Sequence, residues 1–157
     1  MALNNLNDLD FANRKYDGWK QVEATVTYDG GTTNAIGDFN GTGEPHTIFT
    51  VTGTCHVKMF AVCETTLTID AAATAEVGTT ATTAGLIAQT AGDAIDVNEI
   101  WHDATPDASV ELTSVIQENI VSDDIISTTA TANILTGVIR YICLWKPFSF
   151  DGNVVAA

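Results

Sequence analysis

The sequence predicts an all-β protein, an antiparallel β-sandwich or jelly roll of about eight strands with one short helical turn. Threonine is abundant, with 24 of the 157 residues, and Thr and Val suit the pleated surface of a sheet. Short segments alternate between apolar and polar residues, and turn residues separate them about every 8–12 positions, which is typical of sandwiches. Strand signals do not alternate with long helical ones, so a parallel α/β fold is not expected.

One domain and a short arm are expected. The 157 residues are short for two domains, and 45% hydrophobic against 17% charged residues argue against disorder. Residues 1–20 contain several Asn, a poor helix and strand former, and we interpret them as an N-terminal arm. Residues 21–157 then form the sandwich. The arm packs either over the domain's own surface or on a neighbouring subunit.

The elements follow from the alternation of side chains and from Gly, Pro and Asn. The spacing predicts strands over Gln21–Tyr28, Thr47–Thr52, Cys55–Glu64, Leu86–Thr90, Val110–Val121, Asp124–Ala132 and Thr136–Phe148, a loop over 29–45 with five glycines, and a small-residue hairpin over 65–84. Asp96 and Glu99 have capping-box spacing, which predicts one or two helical turns over 96–103.

The charge is strongly negative and unevenly distributed. Twenty acids against six Lys and Arg give a net charge of −14, and residues 1–20 are balanced, so the domain carries all of it. Nucleic-acid binders neutralise phosphates with Lys and Arg, and anionic membranes attract basic segments. Neither nucleic acid nor membrane is therefore an expected partner. The N-terminus has no basic region followed by an apolar run, so no signal peptide is expected.

Catalytic and redox signals are weak. The three cysteines, Cys55, Cys63 and Cys143, are expected to be reduced and buried, as in a protein made in the cytosol. Cys55 and Cys63 lie too far apart on one predicted strand for a disulfide. No nucleophile motif accompanies the three histidines, so an enzyme is not expected. A hydrolase with two paired carboxylates stays open, because twenty acids allow chance pairs.

No metal or other cofactor is expected. Glu99 and His102 are three residues apart on the predicted turn, but two ligands do not make a zinc site. The loop at 38–44 places oxygen-bearing residues at alternate positions, as calcium loops do. Its twelfth position is Phe49 instead of a bidentate Glu, which favours a simple turn.

The last predicted strand is apolar on both faces, which indicates that both faces are covered. One face carries Ile139, Tyr141, Cys143 and Trp145. The other carries Val138 and four residues that we interpret as a subunit interface: Arg140, Ile142, Leu144 and Lys146. Basic residues on a covered face need acidic partners. The alternative is a central strand with two exposed ends.

Three stretches carry a resemblance to a known group of proteins. Residues 85–90 (GLIAQT), 99–106 (EIWHDATP) and 141–148 (YICLWKPF), the last continuing through 151–154 (DGNV), resemble small structural proteins of tailed bacteriophages. With residues 47–64 included, the resemblance covers about two-thirds of the chain. It implies a virion structural protein without catalytic residues.

Size, β content and charge favour one role within that group, a head decoration (cement) protein. Such a protein is made in the host cytoplasm, binds the major capsid protein on the outer capsid surface and is commonly a homotrimer. The alternative is a tail or baseplate component that binds a receptor or glycan.

The arm is the expected capsid-docking element, because Arg and aromatic residues are enriched in interface cores. Its candidate residues are Phe11, Arg14, Lys15, Tyr16, Trp19 and Lys20. Alternatively, Tyr16 and Trp19 close the sandwich's own core.

Overall fold

A computed structural model describes residues 18–103 and 119–157, and it confirms the predicted all-β sandwich. Expectations about residues 1–17 and 104–118 lie outside the described residues. The described strands are β1 (Lys20–Tyr28), β2 (His46–Thr52), β3 (Cys55–Ile69), β4 (Thr74–Thr79), β5 (Thr82–Ala91), β6 (Ile100–His102), β7 (Asn119–Val121), β8 (Ile125–Ala130), β9 (Ile134–Pro147) and β10 (Asn153–Ala156). In the same residues, no helix has the length and hydropathy of a membrane-crossing segment.

Two antiparallel sheets form the sandwich. Sheet A has the order β1-β9-β3, and both β6 and β7 pair with the far side of β3. Sheet B has the order β10-β2-β8-β4-β5. The long strands β3 and β9 form the centre of sheet A, paired from Cys55 opposite Pro147 to Ile69 opposite Ile134.

The core lies between the sheets and follows the predicted alternation. Five alternate residues of β3 are buried: Cys55, Val57, Met59, Ala61 and Cys63. On β9 the buried set is Ile139, Tyr141, Cys143 and Trp145, and sheet B contributes Phe49, Val77, Ile87 and Ile125. Successive side chains of a strand point to opposite faces, so His56 points away from the buried Cys55. All three cysteines are free and buried.

A buried hydroxyl cluster joins the two sheets. The Tyr28 hydroxyl lies 2.7 Å from that of Tyr141 and 3.0 Å from Ser127 Oγ on β8. Tyr141 and Ser127 are 3.2 Å apart. Burial raises the pKa of Tyr28 to about 12 and raises that of Tyr141 well above its ordinary value. Both phenols therefore stay protonated at neutral pH, and each has a hydrogen-bond partner in the core.

The glycine-rich loop is tied to sheet B by one carboxylate. Glu44 accepts hydrogen bonds from the amide of Gly37 at 2.8 Å, and from the hydroxyl and amide of Thr129 at 2.9 and 3.0 Å. Gly37 has a φ of +97°, which a residue without Cβ adopts at no steric cost. Asp38 accepts a bond from the amide of Asn34 at 2.8 Å.

The predicted helical turns over 96–103 are wrong. A 3-10 turn lies earlier, at Gly92–Ala94, and Ile100–His102 is strand β6. One half of the predicted capping box forms, because the Asp96 amide donates to the Glu99 carboxylate at 3.0 Å. It closes a single turn, after which β6 pairs with Phe60–Val62 of β3. Sheet pairing therefore overrides a local helix signal.

Most strand boundaries differ from the sequence expectations by one to five residues, and three differences show the cause. Strand β1 begins at Lys20, which lies opposite Trp145 of β9. Strand β3 continues to Ile69, so the small-residue hairpin is β4–β5 alone. The short strand β10 after the last predicted strand was not expected, and it pairs with β2. In each case a neighbouring strand supplies partners that the local pattern does not reveal.

Candidate interaction face

The second set of alternate side chains on sheet A points away from sheet B and forms a broad surface, here called the outer face. Its apolar and basic residues are Lys58, Phe60 and Val62 of β3, Val138, Arg140, Ile142, Leu144 and Lys146 of β9, Ile100 of β6, Ile120 of β7, and Phe148. The same register places His56, Glu64, Gln21, Glu23, Thr25, Thr27 and His102 on this face. Three of these hydrophobic residues are strongly exposed: Ile100 at 64%, Ile120 at 54% and Phe148 at 64%.

An apolar stripe runs across the middle of the outer face. Phe60 lies opposite Ile142 on the neighbouring strand, and Leu144 follows two residues later on the same face. These three side chains are half-buried. Contiguous exposed apolar surface of this kind marks interaction sites in soluble proteins.

Basic residues border the stripe. Arg140 bonds Glu64 at 2.9 Å and Glu23 at 3.1 Å, which supplies the acidic partners that a covered Arg requires. The hydrogen bonds that its guanidinium donates to these two carboxylates raise the pKa of Arg140. In strands β1, β3 and β9, Glu23 and Glu64 are the only acids. Both contact Arg140, so Lys58 and Lys146 leave the outer face with excess positive charge.

Trp19 lies on the outer face between those two lysines. Its ring centroid is 5.1 Å from Lys58 Nζ and 4.7 Å from Lys146 Nζ, both within cation–π range. The chain before β1 therefore places an aromatic ring across β9 and β3 on the outside of sheet A. Lys20, the first residue of β1, contacts a different ring. Its Nζ lies 4.9 Å from the ring centroid of Trp145 on β9.

Two groups of candidate residues that the sequence treats separately meet here. Trp19, from the expected docking arm, contacts Lys146, from the expected subunit interface, and Arg140, Ile142 and Leu144 continue the same surface along β9. Phe11, Arg14, Lys15 and Tyr16 lie outside the described residues. Sequence reasoning missed the contributions of Phe60, Val62, Ile100, Ile120 and Phe148. The available signal was that the second set of alternate residues on β3 includes both apolar and charged side chains.

The other candidate sites show fewer features of a functional site in the described residues. No group of three or more potential metal ligands is found there, and Asp38 and Glu44 bind main-chain amides of their own loop or of β8. A cavity of about 260 Å³ near the β4–β5 turn is lined by Thr82, Leu86 and Asn119, with Asp123 as its one titratable residue. Burial raises the pKa of all three thiols, that of Cys143 to about 12.

No family model, no curated protein and no solved structure matches this chain. The outer face is therefore assigned on its geometry and charge.

Proposed function

We propose that this chain is a structural protein of a tailed-bacteriophage virion, a head decoration protein that binds the outer surface of the major capsid protein lattice. The single observation that carries the proposal is the outer face, a wide apolar and basic surface on an otherwise acidic molecule. Such a surface suits recognition of another protein, because aromatic and Arg side chains are favoured at interface centres.

The charge distribution supports this orientation. With the outer face turned towards the capsid, the acidic remainder of the domain faces solvent, where net charge maintains solubility. Two of the three stretches that carry the phage resemblance, 99–106 and 141–148, include β6 and residues 141–147 of β9, which border or form the outer face.

Binding to empty expanded capsids that lack the protein tests the proposal. Leu144→Glu places a charge in the apolar stripe and is expected to reduce capsid occupancy at least tenfold. Val155→Glu is the matched control, because Val155 is 46% exposed on β10 of sheet B, and it is expected to bind like the wild type. A folded Leu144→Glu protein that decorates capsids at wild-type occupancy would contradict docking through the outer face.

A tail or baseplate component is the second candidate, and one observation favours it. Phe150 is 86% exposed and Phe148 64% exposed in the turn between β9 and β10, and exposed aromatic rings can stack on sugars. Copy number separates the two roles. Hundreds of copies per virion indicate head decoration, whereas a few to tens indicate the tail.

A further inference from the structure

The edges of the two sheets differ in how they are protected. In the described residues, three edge strands are very short: β10 has four residues, and β6 and β7 have three each. A fourth edge strand, β5, has two register shifts in its pairing with β4. Strand β1 is the exception. Its nine residues pair with β9 in unbroken register from Lys20 opposite Trp145 to Tyr28 opposite Gly137, and within residues 18–103 and 119–157 no strand pairs with its other side.

Such an edge is a template for another strand. Natural proteins protect exposed edges with bulges, prolines, charged residues or very short strands. Strand β1 has no proline and no bulge, and its interior carries one charged residue, Glu23, which Arg140 already binds. Unpaired backbone groups along a regular strand of this length favour addition of a further strand.

We propose that β1 pairs antiparallel with β1 of a second copy of this chain, about a two-fold axis at Ala24. This contact is separate from the proposed function, which uses the outer face. A two-fold contact uses the same patch on both subunits, so the patch must be complementary to itself. The β1 sequence, KQVEATVTY, meets that requirement.

The cross-strand pairs explain the complementarity. Centring on Ala24 places Val22 opposite Val26 of the second copy on the side facing sheet B. On the outer side, Glu23 lies opposite Thr25 and Gln21 opposite Thr27 of the second copy. No like charges are directly opposed, and β-branched pairs stabilise antiparallel ladders.

Burial at this edge is incomplete in the single chain. Val22 and Ala24 pack against the core but stay half-buried, whereas Val26 is 3% exposed. A second β1 would cover both and would join the two A sheets into one. A trimer, which the phage resemblance implies, requires a different contact, so trimers in solution would overturn this pairing.

Light scattering on the purified full chain tests the oligomer. We expect a dimer of twice the 16.6 kDa chain mass. Thr25→Glu places a carboxylate opposite Glu23 of the second copy and is expected to yield a monomer. Within one chain the new carboxylate lies opposite Arg140, so the fold is preserved. Gln89→Glu, on exposed β5 of the other sheet, adds the same charge and should stay dimeric.

Cysteine cross-linking tests the register. Ala24→Cys places two thiols at the two-fold axis, within the Cα separation that a disulfide requires. Gln21→Cys places its thiols about 20 Å apart, six residues along paired strands. Oxidation should therefore cross-link the first variant and at least tenfold less of the second. A monomeric wild type, a dimeric Thr25→Glu protein or equal cross-linking of both cysteine variants would overturn the proposal.

Discussion

At the residue scale, the buried Tyr28–Tyr141–Ser127 cluster shows why a sandwich core contains polar atoms. Each hydroxyl contacts the other two, at 2.7–3.2 Å, so none is left without a partner in the apolar interior. A buried polar network that is fully satisfied fixes the relative position of its elements. Here the network links β1 and β9 of sheet A to β8 of sheet B.

Tyr141→Phe tests this cluster. The variant leaves the Tyr28–Ser127 contact in place and removes one hydroxyl, so the free energy of unfolding should decrease by about 1–2 kcal/mol. Urea unfolding measures the loss. The double variant with Tyr28→Phe should lose less than the sum of the single losses, because the two hydroxyls share one network. Strict additivity would contradict that coupling.

Glu44 predicts an unusual pH dependence. Burial raises the pKa of Glu44 above its ordinary value of 4.5, despite three hydrogen bonds to its carboxylate. The folded chain therefore holds this proton more tightly than the unfolded chain. The contribution of Glu44 to the free energy of unfolding is fully present below pH 4.5. It decreases as the pH rises through the pKa of Glu44 in the folded chain.

Comparison with Glu44→Gln isolates this effect. We subtract the variant's free energy of unfolding from that of the wild type. This difference should decrease as the pH is raised from about 4 to about 7. Asp70→Asn, in the exposed turn after β3, controls for loss of one negative charge. A difference that rises with pH would show that the hydrogen bonds outweigh burial.

At the element scale, close backbone approach explains Gly30 in the 29–45 loop. A Cβ on Gly30 would lie 2.2 Å from the Gly37 carbonyl oxygen and 2.4 Å from that of Ile134. The neighbouring Gly31 meets nothing nearer than Leu135 at 4.0 Å. The loop therefore needs one of these adjacent glycines for packing and not the other.

Gly30→Ala should destabilise the protein by about 1–3 kcal/mol or more, because main-chain atoms must move. Gly31→Ala should be close to neutral, since its Cβ enters open space. Thermal melting of both variants measures the contrast. Equal melting temperatures would mean that the loop adjusts without cost.

Strand predictions succeeded where burial alternates and failed where long-range pairing decides. Cys55–Glu64 and Thr136–Phe148 are strongly periodic, and they correspond to the central strands β3 and β9. Residues 96–103 carry a genuine capping interaction, so the local signal was right and the element was wrong. The strand at Ile100–His102 depends on the edge of β3, which the local sequence cannot show.

At the scale of the whole molecule, the outer face differs in charge from the chain as a whole. The chain carries a net charge of −14, yet the outer face has more bases than acids. Sequence reasoning located the β9 residues and Trp19 but assigned them to two interfaces. Their meeting on one surface depends on how the chain enters β1, and residue spacing does not reveal that path.

The net charge also predicts a response to salt. Repulsion among like charges destabilises the compact state, and the Debye length shortens from about 30 Å to about 10 Å between 0.01 M and 0.1 M salt. The melting temperature at neutral pH should therefore increase over this range. A neutral osmolyte in place of salt separates screening from exclusion effects, and a melting temperature that decreases with salt would show that ion pairs such as Arg140–Glu64 dominate.

The three free thiols provide a way to measure transient opening of the domain. Cys55, Cys63 and Cys143 are each at most 1% exposed, and their raised pKa values keep the reactive thiolate scarce. An aromatic disulfide reagent should therefore modify them only when the sheets separate, and protein in denaturant should react far faster. The rate at which these thiols are labelled therefore measures how often the sandwich opens, in the isolated protein and in an assembly, without an introduced probe.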